Sequence, residues 1–122
     1  MNKIFVGFLI LNVLIEGLAA AFLIGGPQGI FSNAQSPDGI LWAANYGFAA
    51  IAFASAIFWI WPSRDNHGAV GAVLGILLTF HAMVFVSFAI QGNQLPPMVI
   101  HGVMAALAIV LYSQRSKYTT EQ

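Results

Sequence analysis

Long hydrophobic runs alternate with short polar stretches along this chain. Four such runs cover residues 4–24, 40–61, 69–90 and 95–112. A helix rising about 1.5 Å per residue needs about 20 residues to cross the ~30 Å hydrocarbon core of a membrane, so runs of this length predict membrane spans. Pro96 and Pro97 stand near the start of the fourth run, where the first turn of a helix tolerates proline. The pattern predicts an all-α integral membrane protein in which residues 1–122 form a single transmembrane domain.

The connections between the runs are short, which predicts an antiparallel bundle of four transmembrane helices. The stretches PSRDNHG and QGNQLPP leave room only for tight turns between neighbouring helices. The stretch of residues 25–39 is longer and rich in Gly, Pro, Asn and Ser, so we expect a loop on the outer side. Small residues let helix backbones approach closely, and they predict helix contacts within the chain or between copies of it. They are Ala43, Gly47 and Ala50 in the second run, Gly71, Gly75 and Thr79 in the third, and Gly102 and Ala106 in the fourth.

The charge pattern predicts the orientation in the membrane. Charged residues make up only 7% of the chain and hydrophobic residues 59%, whereas a soluble domain carries roughly 25% charged residues. The basic residues all fall on one side if both termini are cytoplasmic, as the positive-inside rule requires; they are Lys3, Arg64, Arg115 and Lys117. The lipid bilayer is therefore the expected partner. The absence of a basic tract argues against binding of nucleic acid.

Length, cysteine content and targeting motifs indicate which membrane the protein occupies. The chain is short, contains no cysteine and carries no eukaryotic targeting motif. We therefore expect a multi-pass protein of the bacterial inner membrane. Since no cysteine is present, disulfide and thiolate chemistry is excluded.

Few polar side chains interrupt the runs, and these predict a binding site formed by Asn12, Glu16, Asn45, His81 and His101. Asn12 and Glu16 are one helical turn apart and share a face. Counted from the outer ends of the runs, Glu16 and His81 lie roughly 12 and 14 Å deep, and Asn45 and His101 roughly 8 and 6 Å. These depths predict one polar cluster inside the bundle, reachable from the outer half of the bilayer, in which Glu16 contacts His81 or His101.

The functional interpretation of this cluster depends on Glu16. A charged side chain at the bilayer centre costs at least ~2.5–3.5 kcal/mol on insertion scales, so Glu16 needs a partner. As a neutral acid, or as half of a Glu–His pair, it can exchange a proton. This favours binding or transport of a proton, a cation or a small amphiphilic ligand. The structural alternative, which suits Asn12 and Asn45 better, is a hydrogen-bonded lock that sets helix register at ~0.6 kcal/mol per contact.

A resemblance to a known family also favours binding or transport. In length, in the number of runs and in the glutamate of the first run, the chain resembles the small multidrug resistance transporters. Its third run, AVGAVLGILLTFHAMVFVSFAI, lacks the tryptophan that those proteins carry there, and residues 25–39 form a longer connection than theirs. The general layout also resembles that of DoxX-like small membrane proteins. The first resemblance implies binding or transport.

Other functions fit the same residues. Two histidines and a carboxylate match the ligand set of a zinc or non-haem iron centre, in which Glu16, His81 and His101 would hold the metal. Two histidines can also ligate haem, although the estimated depths of His81 and His101 differ by about 8 Å. The sequence itself names no cofactor.

Two non-transport alternatives remain open. No nucleophile stands beside a base, so enzymatic activity is disfavoured; a hydrolase or isomerase using Glu16 and His81 as acid and base is the remaining catalytic option. The chain has almost no soluble surface, so it also fits a non-catalytic accessory subunit of a larger membrane complex, or a homo-oligomer.

Overall fold

A computed structural model describes residues 3–26, 36–92 and 94–120 of the chain. The regular elements in these ranges are helices. They are α1 (Lys3–Gly25), α2 (Pro37–Ala54), α3 (Ala56–Ile60), α4 (His67–Gln91) and α5 (Leu95–Ser113), with 3-10 turns at Trp61–Ser63 and Arg115–Lys117. Of the loop predicted at residues 25–39, residues 27–35 lie outside the described residues.

Four helical segments in the described ranges are long and apolar enough to cross a membrane. They are Lys3–Gly25, Pro37–Ser63, His67–Gln91 and Leu95–Ser113, with mean hydropathies of 2.2, 1.6, 2.3 and 1.9. Large apolar side chains such as Trp59 and Ile90 are about four-fifths exposed, as lipid-facing residues are. The predicted all-helical chain with four helices of spanning length is confirmed. The arrangement of the four helices as a bundle and the side on which the termini lie stay predictions.

The helix ends follow local sequence signals. Ser36 caps α2 by accepting a hydrogen bond from the Gly39 backbone N–H at 3.0 Å, and Asn66 caps α4 in the same way. The α4 helix ends at Gly92, whose φ of 72° lies in the left-handed region that glycine adopts without strain. Helix α5 begins at Leu95 with its prolines in the first turn, as predicted.

The chain divides into two compact units. Unit 1 comprises Met1–Phe8 and Ile60–Gln122, and unit 2 comprises Leu9–Trp59. The prediction of a single transmembrane domain is not tested by this division and stays a prediction.

In unit 1, α4 and α5 form an antiparallel hairpin. A Cβ atom added to Gly102 would lie only 3.1 Å from the Phe85 ring, and one added to Gly71 would lie 3.2 Å from Nε of Arg115. Both glycines therefore mark close contacts, as predicted. A Cβ at Gly75 would meet nothing within 4 Å in this chain, so a contact there with a second copy of the chain stays a prediction.

The residues after α5 fold back onto the start of α4. The Thr120 backbone N–H donates to the Asp65 carbonyl at 2.7 Å, and the His67 N–H donates to the Thr120 carbonyl at 3.2 Å. The Thr119 hydroxyl lies 2.9 Å from Nδ1 of His67. The end of α5 and the start of α4 are therefore tied together at one end of unit 1.

The N-terminal part of α1 reaches the same end. The rings of Phe5 and Tyr118 stack with their centroids 6.0 Å apart. The Tyr118 hydroxyl donates to the Leu111 carbonyl at 2.7 Å, and burial raises the pKa of this hydroxyl, which keeps it protonated as a donor. The basic residues Lys3, Arg64, Arg115 and Lys117 therefore belong to one end of unit 1.

In unit 2, α1 and α2 pack closely at Gly47. A Cβ there would lie 2.8 Å from Cγ1 of Ile24, 3.1 Å from Cβ of Leu23 and 3.3 Å from the Ala20 carbonyl oxygen. Such distances leave no room for a methyl group. The small residue that the sequence predicts at a helix contact is therefore required by the packing.

The second span is interrupted at Ser55, where the sequence predicts one continuous run. The Ser55 hydroxyl donates to the Ala52 carbonyl at 2.7 Å and accepts from the Trp59 indole N–H at 3.1 Å. The Phe58 N–H bonds to the Ser55 carbonyl only three residues back, at 2.9 Å. A serine hydroxyl that competes for backbone partners commonly bends a helix, which accounts for the separation of α2 from α3.

Replacing Gly47 by alanine should weaken the α1–α2 contact. Overpacking costs about 1–3 kcal/mol, which exceeds the ~1 kcal/mol that alanine gains over glycine in a helix. We expect Gly47→Ala to lower the melting temperature of the protein in detergent, measured by circular dichroism.

Gly17→Ala in α1 is the matched control, because a Cβ at Gly17 would meet nothing within 4 Å. It should melt at or above the temperature of the parent. Equal stabilisation by both substitutions would contradict the close α1–α2 contact.

Candidate functional site

The polar side chains buried among the described residues are few. They are Asn12, Glu16, His81 and His101, with exposed fractions of 0%, 0%, 0% and 5%. All belong to the predicted site. Asn45, its fifth predicted member, is exposed, so the prediction of an interior position is wrong for this residue. Whether Asn45 contacts a ligand stays a prediction.

In unit 2, α1 presents Asn12 and Glu16 on a single buried stripe. The stripe continues in both directions through apolar residues, with Leu9 before the pair and Ala20 and Leu23 after it. Spacings of three and four residues put these positions on one helix face. The predicted common face of Asn12 and Glu16 is confirmed.

Asn12 hydrogen-bonds α1 to the second span, near the interruption at Ser55. Its side-chain amide donates a hydrogen bond to the Phe53 carbonyl at 2.8 Å. Phe53 lies two residues before Ser55, where α2 ends. Polar backbone groups that a helix does not satisfy are costly in hydrocarbon, so this bond ties α1 to the interrupted helix. The contact supports the interpretation of Asn12 as a lock.

Tyr46 is a residue that the sequence analysis did not include in the site. Its hydroxyl oxygen is buried and has no hydrogen-bond partner among the described residues. Within unit 2 it interacts electrostatically with Glu16. Its position three or four residues from Ala43 and Ala50, on the small-residue face of α2, was the available signal.

In unit 1, the two histidines occupy core positions of their helices. The buried stripe of α4 runs through Val70, Leu74, Leu77 and His81, and that of α5 runs through His101, Met104, Ala108 and Leu111. Both histidines therefore stand at one end of an otherwise apolar interface. The helix periodicity that buries the leucines also turns the two imidazoles toward each other.

The two imidazoles are in direct contact. Nδ1 of His81 and Nδ1 of His101 are 2.9 Å apart, and the ring centroids are 5.1 Å apart. One Nδ1 must carry the hydrogen and the other must accept it, so the rings are in opposite tautomers or one of them is an imidazolium. The contact thus places two nitrogen atoms with lone pairs or exchangeable protons side by side in an apolar region.

Aromatic side chains surround the pair. The Phe80 ring stands edge-on to His81 with centroids 5.1 Å apart, and edge-on to His101 at 6.0 Å. The Phe88 ring lies against His101, also at 6.0 Å. These contacts restrict rotation of the imidazoles, because each ring turn would displace a packed neighbour.

The observed contact corrects the depth estimate for the histidines. The estimate separates His81 from His101 by about 8 Å, whereas their Nδ1 atoms are 2.9 Å apart. The estimate assumed that Ile90 and Pro97 lie at the same depth in the membrane, and it did not include the length of the histidine side chains. The helices in fact end at Gln91 and begin at Leu95.

The arrangement does not suit haem. The axial ligands of a haem iron stand on opposite sides of the metal, about 4 Å apart at about 2 Å per bond. Nδ1 atoms 2.9 Å apart therefore do not fit as an axial pair. The same spacing does suit two neighbouring ligands of one metal ion.

The prediction that Glu16 contacts a histidine concerns residues of different units. Glu16 belongs to unit 2, and His81 and His101 belong to unit 1. This contact stays a prediction. The third histidine, His67, lies at the start of α4 beside Thr119 and is separate from the pair.

Comparisons with protein families, with characterised proteins and with solved structures find no match to this chain. The likeness to the small multidrug resistance transporters is therefore limited to length, number of spans and the position of Glu16.

Removing the Asn12 amide should destabilise the protein. We expect Asn12→Ala to cost about 0.6–1.7 kcal/mol, the range measured for hydrogen bonds between membrane helices. Reversible unfolding in mixed micelles, followed by circular dichroism, measures this loss.

Asn45→Ala removes the same group from an exposed position of the same unit. It should leave the free energy of unfolding within about 0.5 kcal/mol of the parent. Equal losses for the two variants would contradict the locking role of Asn12.

Proposed function

We propose that this multi-pass membrane protein binds a cation, specifically a divalent metal ion, through His81 and His101. The observation that carries the proposal is the contact between two buried Nδ1 atoms, 2.9 Å apart. Imidazole nitrogens are common ligands of zinc, copper, iron and nickel. Two such nitrogens side by side in one helix interface are within reach of a single metal ion.

Binding of a metal ion requires only a local rearrangement of protons. In the neutral pair, one ring carries its hydrogen on Nδ1 and the other on Nε2. When both Nδ1 atoms donate their lone pairs to a metal ion, the first ring shifts its hydrogen to Nε2. The two Nδ1 atoms would then hold the metal ion with both rings neutral, and the hydrogen bond between them would be lost.

We propose Glu16 as a further ligand. Two neutral imidazoles leave the full charge of a divalent ion uncompensated, and charge in the membrane interior is expensive. A carboxylate reduces that charge and is itself stabilised by the cation. The support for Glu16 is its burial on the polar stripe of α1 and the match of two histidines and one carboxylate to a known set of metal ligands.

We also propose that both termini face the cytoplasm. The support is the position of the basic residues at one end of unit 1, which the positive-inside rule assigns to the cytoplasmic side. Because the chain has no cysteine, single cysteines report the orientation. In intact cells a membrane-impermeant thiol reagent should label Gln91→Cys, and should label Ser116→Cys only after permeabilisation. Both positions are exposed. The reverse labelling pattern would contradict this orientation.

Metal binding is tested on protein in lipid nanodiscs. After equilibration with Co²⁺ and gel filtration, the parent should retain one ion per chain, measured by mass spectrometry of the metal. His81→Gln and His101→Gln should each weaken binding by more than about tenfold, because even loss of a residue that only supports a ligand costs about 10–100-fold.

His67→Gln is the matched control, because His67 is outside the pair. It should bind Co²⁺ as the parent does. Retention that is abolished by His67→Gln and unaffected by the other two substitutions would contradict the proposal.

A further inference from the structure

We infer that two copies of this chain associate in the membrane through the face of α2 that carries Asn45. This face consists of Asn45, Ala49 and Ala52, all of which are exposed in the single chain. Their spacings of four and three residues put them on one side of the helix. The contact does not depend on metal binding at His81 and His101.

Asn45 lies inside the hydrocarbon part of its span. It follows Pro37, the first residue of α2, by eight residues, which is roughly 12 Å along a helix. The span Pro37–Ser63 has 27 residues and is roughly 40 Å long, so it extends only about 5 Å beyond each side of a ~30 Å core. The Asn45 carboxamide is therefore roughly 7 Å inside the core, too deep for its short side chain to reach water.

The Asn45 carboxamide has no hydrogen-bond partner among the described residues. Other exposed polar side chains of the spans bond within their own helix. The Thr79 hydroxyl donates to the Gly75 carbonyl at 2.9 Å, and the Ser87 hydroxyl accepts from the Gln91 amide at 3.1 Å. Since no water is present in hydrocarbon, an exposed amide there requires a partner that the described part of the chain does not supply.

A second copy of the chain supplies the complementary group. Two copies inserted in the same orientation have parallel α2 helices, so a two-fold axis along the membrane normal places each residue of the contact opposite its own counterpart. A polar side chain at such a position must therefore be complementary to itself. A carboxamide is both a donor and an acceptor, so each Asn45 amide can donate to the carbonyl oxygen of the other.

The residues beside Asn45 permit the close approach that its short side chain requires. Ala49 and Ala52 are small, and small residues let membrane helices come together. The opposite face of α2, formed by Gly47, Ala50 and Ala54, is buried, and Gly47 packs against α1. Helix α2 thus carries small residues on two opposite sides, and the side that is open in the single chain also carries the amide.

Single cysteines test the contact, because the chain contains none of its own. In membranes of cells that express the full chain, oxidation by iodine should join Ala49→Cys to its own copy as a disulfide-linked dimer on a non-reducing gel. Ile51→Cys is the matched control. It is about half exposed and lies at nearly the same depth, but about 160° around the helix from Ala49, so it should stay mostly monomeric.

Removing the amide should weaken the association. In vesicles with a series of protein-to-lipid ratios, Asn45→Ala in the Ala49→Cys chain should reduce dimer formation by about three- to tenfold, the factor that hydrogen bonds between membrane helices supply. Asn45→Gln keeps a carboxamide and should retain more dimer than Asn45→Ala. Dilution in detergent micelles separates the copies, so the free energy of unfolding measured there for Asn45→Ala is that of the single chain.

The cysteine contrast needs no change at Asn45, so it does not depend on the folding of the amide variants. Equal dimer formation by Ala49→Cys and Ile51→Cys would indicate random collision and would overturn the inference, as would the absence of a dimer from both. A cross-linked product of another mass would assign this face to a different protein and would also overturn it. A dimer fraction unchanged by Asn45→Ala would contradict the pairing of the two carboxamides.

Discussion

The absence of water from the hydrocarbon core is the constraint on which this structure depends. A polar group there cannot turn to solvent, so each one must find its partner in the protein or be omitted. The chain satisfies this constraint mostly by containing few charged residues, which make up 7% of the sequence. Two hydrogen bonds pair buried polar groups among the described residues: one joins Asn12 to the Phe53 carbonyl, and the other joins His81 to His101.

The Asn12–Phe53 and His81–His101 hydrogen bonds differ in the groups that they join. The Asn12 bond joins a side chain to backbone near the interruption at Ser55, where a helix needs outside help to satisfy its polar groups. Two apolar side chains would pack the α4–α5 interface as well as His81 and His101 do, and they would avoid the cost of burying imidazoles. The His81–His101 contact joins two helices by a side-chain hydrogen bond and also brings two metal-ligating groups together, which supports the proposed metal binding.

Several features could be read from the sequence because they are local. Helix ends follow capping residues such as Ser36 and Asn66, and the prolines of α5 occupy the first turn. The common face of Asn12 and Glu16 follows from helix periodicity alone. The interruption at Ser55 was missed, since serine is common inside helices and only its competing hydrogen bonds distinguish this one. Asn45 was predicted to lie in the interior and is exposed, because neighbouring residues of a helix point about 100° apart and the rotation of α2 was unknown.

The sequence by itself determined that the chain is helical, that four of its helices are long enough to span a membrane, and which polar residues they carry. These properties depend on hydrophobicity, length and periodicity, which each segment holds independently of the others. Only the tertiary structure decided that Nδ1 of His81 meets Nδ1 of His101, and that Gly47 and Gly102 lie against neighbouring side chains whereas Gly75 meets nothing within 4 Å in this chain. Such pairings depend on the rotation and offset of one helix against another, to within a fraction of a turn. Those quantities are set by side-chain packing between segments distant in sequence, so no single segment encodes them.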